Sequence, residues 1–300
     1  MAKFYKESAG ERIFGIVNIL LLMFIGAATL FPFLNIVARS LNESIDTIKG
    51  GITIYPRMFT LNNFKHIFND NDVPRAYLIT ILRTLTGTTI AVISTIMAAY
   101  AVSRKTLPGR KWIMLYILVP MFFSGGFIPS VINIRELGLA NNFWVYVLPM
   151  SFGIYHMIIT MSYLKTIPDA LEESAKIDGA SYTKVFISII LPLSAPILAT
   201  ITLMFAVMHW NSWMDAFLYV TDKKLHHMQM LLARMIMLNE AANTETMLQS
   251  GGGDYERVLP ITPESIKAAA VVVTILPIVC FYPFLQKYFI KGMMIGSVKG

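Results

Sequence analysis

Polar side chains set within apolar runs are the first candidates for function, because hydrocarbon tolerates them only where they do something. His156, Thr160 and Tyr163 stand four and three residues apart, which puts them on one face of a helix. Such a face offers a polar solute hydrogen-bond donors, acceptors and a flat ring. The same groups also bond helix to helix inside a bundle, and the sequence leaves both readings open. Trp210, Asn211 and Trp213 form a second group, suited to stacking on a flat solute, meeting a partner protein, or sitting in an interfacial aromatic belt. A third is the charged run from Asp169 to Gly179, with Glu172 and Glu173 at its centre.

Catalytic patterns are missing. The five histidines, His66, His156, His209, His226 and His227, show no metal-ligand spacing, and no Gly-Lys-Ser/Thr phosphate loop occurs. No catalytic or metal-binding residue is therefore expected, and neither is a cofactor held by this chain. His226-His227 reads as solvated loop. Arg83 lies within two turns of the end of an apolar run and reads as a side chain snorkelling to the interface.

The elements around these residues follow from composition. Of 300 residues, 55% are hydrophobic and 14% charged. A soluble domain carries about 25% charged residues. The shortfall coincides with runs of about 20 apolar residues, the length that crosses a bilayer as a helix, so the class is an all-α membrane protein embedded in lipid. The net charge of +7 fits the cytoplasmic gathering of Lys and Arg and does not call for nucleic acid. Cys280 is the single cysteine, which rules out an intrachain disulfide.

Six spans are expected, at about Ile13–Val37, Ala76–Val102, Trp112–Ile132, Phe143–Leu164, Ile189–His209 and Ser265–Phe289. The first is too long for a signal-peptide core and reads as retained. Lys3, Lys6 and Arg12, then Arg104, Lys105, Arg110 and Lys111, then Lys287, Lys291 and Lys299 fall on one side, which places both termini in the cytoplasm. Residues 1–300 form one transmembrane domain, with long extracytoplasmic loops at 38–75 and 210–264. Prolines in or beside the spans, Pro120, Pro149, Pro192, Pro196, Pro277 and Pro283, imply a packed bundle that satisfies the carbonyls they free. Thr262-Pro263-Glu264 reads as the cap that opens the last span.

Residues 165–188 then form a cytoplasmic helix–turn–helix. Pro168, the acids after it and Gly179 are start and stop signals for a short helix over Asp169–Ile177, and Ser181 can cap the next. Glu173-Ser174-Ala175, three residues, Gly179, nine residues, then Ile189-Ile190-Leu191-Pro192 resembles the EAA signature of ABC importer permeases, with Ser174 in place of one Ala. Asp178 and Ala180 beside Gly179 are similar to the carbohydrate branch. Trp210-Asn211-Ser212-Trp213 and the tail from Gln286 to Gly300 resemble maltose-type permeases. Pro263-Glu264-Ser265-Ile266-Lys267 resembles their oligosaccharide and polysaccharide-uptake branch.

The resemblance implies the MetI-like, six-span fold of type I ABC importer permeases and import of an oligosaccharide. It also implies a second homologous permease, two ATP-binding subunits that hold the ATP and Mg, and an extracytoplasmic solute-binding protein. Glu173, Ser174, Ala175, Asp178 and Gly179 would then couple to the ATPase. The alternatives are an ion-driven secondary transporter, which needs charged groups at mid-membrane that the spans largely lack, and a channel subunit, which has no use for a coupling helix.

Overall fold

A computed structural model describes residues 9–69, 72–123, 125–237, 262 and 264–280. It divides into two compact units, residues 1–70 with 234–275 and residues 71–233 with 276–300.

In the first unit, α1 (Ala9–Ser40) is one apolar helix of 32 residues, long enough to cross a membrane. Its side chains from Ile13 to Phe33 are almost all exposed among the described residues. The segment expected as a loop after it is ordered instead. Two short helices, α2 (Ser44–Ile48) and α3 (Asn62–Asn69), are tied by a buried polar knot. Asn42 Nδ2 donates to Asp46 Oδ2 at 3.0 Å and its Oδ1 accepts from the Met58 N–H at 2.8 Å. Asn63 Nδ2 donates to the carbonyls of Ser40 and Asn42, both at 2.9 Å. Arg57 Nε reaches Asp46 at 3.0 Å. Each polar group finds a partner, which is what lets them leave water.

The second unit is built on α4 (Asp72–Ser103), a continuous helix of 32 residues. The segment expected as the third span is two helices, α5 (Arg110–Phe122) and α6 (Phe127–Glu136). The fourth is two 3-10 turns, Phe143–Tyr146 and Leu148–Met150, followed by α7 (Ile154–Leu164), bent by 46°. Pro149 sits at the start of the second turn and Gly153 at the α7 N-terminus, and both interrupt the helical ladder. Then come α8 (Asp169–Ile177) and α9 (Tyr182–Val185). A π-helical turn over Phe186–Ile190 leads into α10 (Leu191–Leu193) and α11 (Ala195–Asn211), bent by 79° from the preceding stretch. Pro192 and Pro196 cannot donate to the carbonyls four residues back, so the bend falls where that ladder fails. The fourth and fifth expected spans are thus each broken into two bent pieces. After α12 (Met214–Tyr219) come a 3-10 turn (Lys223–Leu225) and the apolar helix α13 (Met228–Met237). The last described helix, α14 (264–280), starts where expected: Thr262 Oγ1 accepts from the Ser265 N–H at 3.4 Å. The rest of the expected sixth span lies outside the described residues.

The core lies where α4, α7 and α11 meet. Ala91 packs against Ile197, Ile201 and Phe205, while Ile96, Ala99 and Val102 pack against Met157, Met161, Leu164, Val185 and Ile190. Gly87 makes the closest approach, since a Cβ there would stand 2.4 Å from the His209 ring. A small residue at such a crossing lets two helices touch backbone to side chain. Replacing Gly87 by Leu should therefore cost about 1–3 kcal/mol by overpacking. We expect a lower unfolding temperature for the detergent-solubilised protein, with Gly26→Leu as the unaffected control because nothing lies within 4 Å of that position.

Candidate functional site

Local signals fold the charged segment into a rigid projection. Asp169 and Glu172 occupy the first turn of α8 and Lys176 the last, each at the end of the helix dipole that favours its charge. The helix ends in a double closure, with the Ala180 N–H donating to the Ala175 carbonyl at 2.9 Å and the Gly179 N–H to that of Lys176 at 3.0 Å. Gly179 has φ +78°, a left-handed conformation that a β-branched residue tolerates poorly. Ser181 Oγ then accepts from the Lys184 N–H at 3.3 Å and starts α9. Lys176 Nζ lies 4.4 Å from the centre of the Tyr182 ring across the turn.

The expected coupling residues divide by environment. Glu173, Ser174, Asp178 and Gly179 are exposed, while Ala175 is half-buried against the Ile96–Leu164 cluster. Ala175 and Asp178 line a shallow cleft of about 180 Å³ with Ala180, Lys184 and Ser188. Ile177 is 86% exposed, an apolar knob at the tip. Sequence reading missed its role, although an isoleucine between Lys176 and Asp178 has no amphipathic partner on α8.

Glu172 is the other omission. It is 4% exposed, and its Oε1 lies 2.7 Å from Arg104 Nη1, one residue beyond α4. The Arg104 guanidinium also stands over the Tyr100 ring at 4.7 Å and 3.7 Å from Asp169 Oδ1. Beside this pair opens a cleft of about 670 Å³ lined by charges of both signs, Arg104, Lys105, Arg110, Lys165 and Glu173 among them.

The presumptive sugar face turns toward other helices. The His156 ring stacks on Phe205, centroids 4.1 Å apart, and Tyr163 Oη donates to the Leu193 carbonyl at 3.1 Å. Thr160 is fully enclosed and donates to the His156 carbonyl at 2.7 Å. His156 and Tyr163 keep partial exposure. Farther along, Asn211 is exposed, Trp210 and Trp213 are half-buried, and the Trp213 ring leans on Phe217 at 5.9 Å.

Two readings are corrected at the other end of α4. Arg83 does not snorkel and His226-His227 is not solvated loop; all three are buried. Arg83 Nη2 donates to Asp215 Oδ2 at 2.6 Å, and its Nη1 donates to the Ser212 carbonyl at 3.2 Å and to His227 Nε2 at 2.6 Å. The Tyr146 ring faces the guanidinium at 4.6 Å. Asp215, 132 positions away in sequence, supplies what a snorkelling reading assumed was missing. A guanidinium has no acceptor, so His227 must accept and is neutral. Burial, helped by the Arg83 charge against the opposing pull of Asp215, pushes its imidazole down to about 4. Burial works against the Asp215 carboxylate, but the charge and hydrogen bonds of the Arg83 guanidinium outweigh it and hold the carboxyl well below its usual range.

A bundle of apolar, proline-bent helices with one short charged helix on a glycine turn fits a membrane transport permease. A family model for the binding-protein-dependent transport system inner membrane component matches residues 87–295, and the chain belongs to that family. It is a permease subunit of an ABC importer. Protein LplC of Bacillus subtilis is 38% identical over 292 residues, covering 96% of each chain. The polygalacturonan/rhamnogalacturonan transport system permease protein YtcP of the same organism is 33% identical over 290 residues, 97% of this chain and 99% of that one. Among solved structures, a chain of a bacterial ABC transporter involved in the import of the acidic polysaccharide alginate superposes with a TM-score of 0.84 at 27% identity, over 95% of this chain and 99% of that one.

Removing one partner of a buried ion pair leaves the other charge uncompensated, at about 3–5 kcal/mol. Arg83→Met and Asp215→Leu should each destabilise the permease by that order, and the double variant should recover most of the loss. Thermal unfolding of the three purified proteins checks this; losses that add up would mean the two side chains act independently.

Proposed function

We propose that this chain forms one half of a translocation pathway for an oligosaccharide, paired with a second homologous permease. Two ATP-binding subunits drive it and an extracytoplasmic solute-binding protein feeds it. The observation that carries this reading is α8 itself: a capped helix, closed by Gly179 in a left-handed turn and presenting Glu173, Ser174 and Ile177 to solvent. Its form suits seating in a cleft of the ATPase, with Glu173 meeting a basic side chain and Ile177 entering an apolar notch. ATP and Mg would be held by that partner. The relatives that handle polygalacturonan, rhamnogalacturonan and alginate make acidic oligosaccharides the first substrates to test.

His156 and Tyr163, with Trp210, Asn211 and Trp213, are proposed to border the path. Thr160, enclosed as it is, supports the helix behind them. The six-span arrangement with both termini in the cytoplasm, the coupling segment 165–188 on that side and residues 38–75 and 210–264 on the other, is part of the same proposal. The basic residues near the expected span ends support it.

Topology is open to a labelling test. With Cys280 replaced by Ser, single cysteines at Lys49 and Ser174, both exposed, report the two sides. An impermeant thiol reagent on intact cells should label position 49 and should reach position 174 only after lysis. Labelling of 174 from outside would overturn the arrangement.

Coupling is tested on the turn and the seat. Gly179→Val strains the left-handed turn, and Ala175→Trp overfills the half-buried side of α8. Both variants should enter the membrane and pair with the second permease, yet lose most ATPase on co-purification, or hydrolyse ATP without uptake in vesicles supplied with oligogalacturonate and the binding protein. Retention of the ATPase and normal uptake in both would remove α8 from the coupling route.

A further inference from the structure

Besides the four-residue link 165–168 back to α7, two routes lead from α8 into the bundle. The covalent one passes the Gly179 turn, α9, the π-helical turn at Phe186–Ile190, Pro192 and a bend of 79° before it reaches α11. Each of those is a place where the helical ladder is interrupted, and interrupted ladders bend. The non-covalent route is short. Glu172 faces inward from α8, buried among side chains of its own chain and not offered to a partner, and it meets Arg104 at 2.7 Å. Arg104 follows directly on Ser103, the last residue of α4.

From there the path is stiff. α4 is one unbroken helix whose only proline, Pro74, stands in its first turn. At 1.5 Å per residue, the 21 residues from Arg83 to Arg104 span about 31 Å. The far end is held by the second buried pair, Arg83 with Asp215, closed over by Tyr146 and His227. α4 is therefore tied by a guanidinium-to-carboxylate contact at two levels. One joins it to α8 just past its last residue, where the Glu172 carboxylate is buried, and the other to α12 about three turns after its start, where both groups are buried.

We propose that Arg104 and Glu172 are positioning residues that fasten α8 to α4, so that displacement of α8 by the ATPase is carried along α4 to the segment around Asp215. This rests on the coupling role of α8 proposed above. Arg104 and Glu172 touch neither nucleotide nor sugar; they act by keeping two helices in register. The Tyr100 ring, over the Arg104 guanidinium and 5.0 Å from Phe186, braces the joint from the side of the π-helical turn.

The test uses the full importer, reconstituted with its ATPase and binding protein, and three variants: Arg104→Gln, Glu172→Gln and the double. The double matters most, because it leaves no charge buried alone and so separates lost linkage from lost folding. The readouts are ATPase co-purification and sugar uptake per ATP hydrolysed. Co-purification should be unchanged in all three. Uptake per ATP should fall about tenfold in each, within the range seen for residues that couple distant sites. The double should be no worse than the poorer single, as expected of residues acting as one unit. Normal uptake per ATP in the double variant would overturn the proposal. So would losses that multiply in the double, or release of the ATPase by Glu172→Gln, which would make that carboxylate part of the dock. Gly179→Val serves as the reference. If it uncouples while the double variant does not, the joint fails and the coupling role of α8 stands; if it too is silent, the coupling role itself fails.

Discussion

A guanidinium inside an apolar bundle is tolerable only with a carboxylate beside it, and Arg83 obliges this half of the unit to arrange itself accordingly. Asp215 must come within reach, which fixes α12 against α4. The Ser212 carbonyl must turn inward, which fixes the exit from α11. His227 must stay neutral, and its ring stands edge-on to Tyr146, whose hydroxyl in turn donates to the Leu225 carbonyl. Four stretches of chain distant in sequence are thereby held at one point. The contact specifies where they sit more surely than it stabilises them, because desolvating the two charges offsets much of their attraction.

The projection at the other end obeys local rules. Its helix bounds, its glycine turn and the serine cap of α9 were all legible in the sequence, because each signal lies within a turn of the bond it makes. The long pairs were not. Arg83 looked like an interfacial side chain because nothing near it in sequence announces Asp215. His227 looked solvated because its partners stand on other elements. Arg104 read as one more basic residue marking a cytoplasmic loop, and Glu172 as one more acid at a helix start. Neither reading contains the contact between them.

The bends were half legible. The prolines at positions 149, 192 and 196 told of interrupted ladders, but not of the angles that result, 46° and 79°. The angle depends on what packs against each half. Here α4 is the straight reference, and α7 and α11 tilt to meet its small-residue surface at Gly87, Ala91 and Ala99. The exposed apolar length of α1, by contrast, has no partner within the described residues of its own unit.

The π-helical turn at Phe186–Ile190 sets the rotational phase of everything after it. There the Leu191 N–H bonds the Phe186 carbonyl, five residues back where an α-helix would use four, so the turn holds one residue more than regular winding needs. Each residue of an α-helix advances the side-chain direction by about 100°. A chain one residue shorter at this point could wind as plain α-helix with every hydrogen bond intact. The present residues wound that way would instead deliver α11 rolled by about that angle, with Phe205 and His209 aimed away from α4. The surplus residue works as an indexing tooth, and the bundle can be read as geared to it.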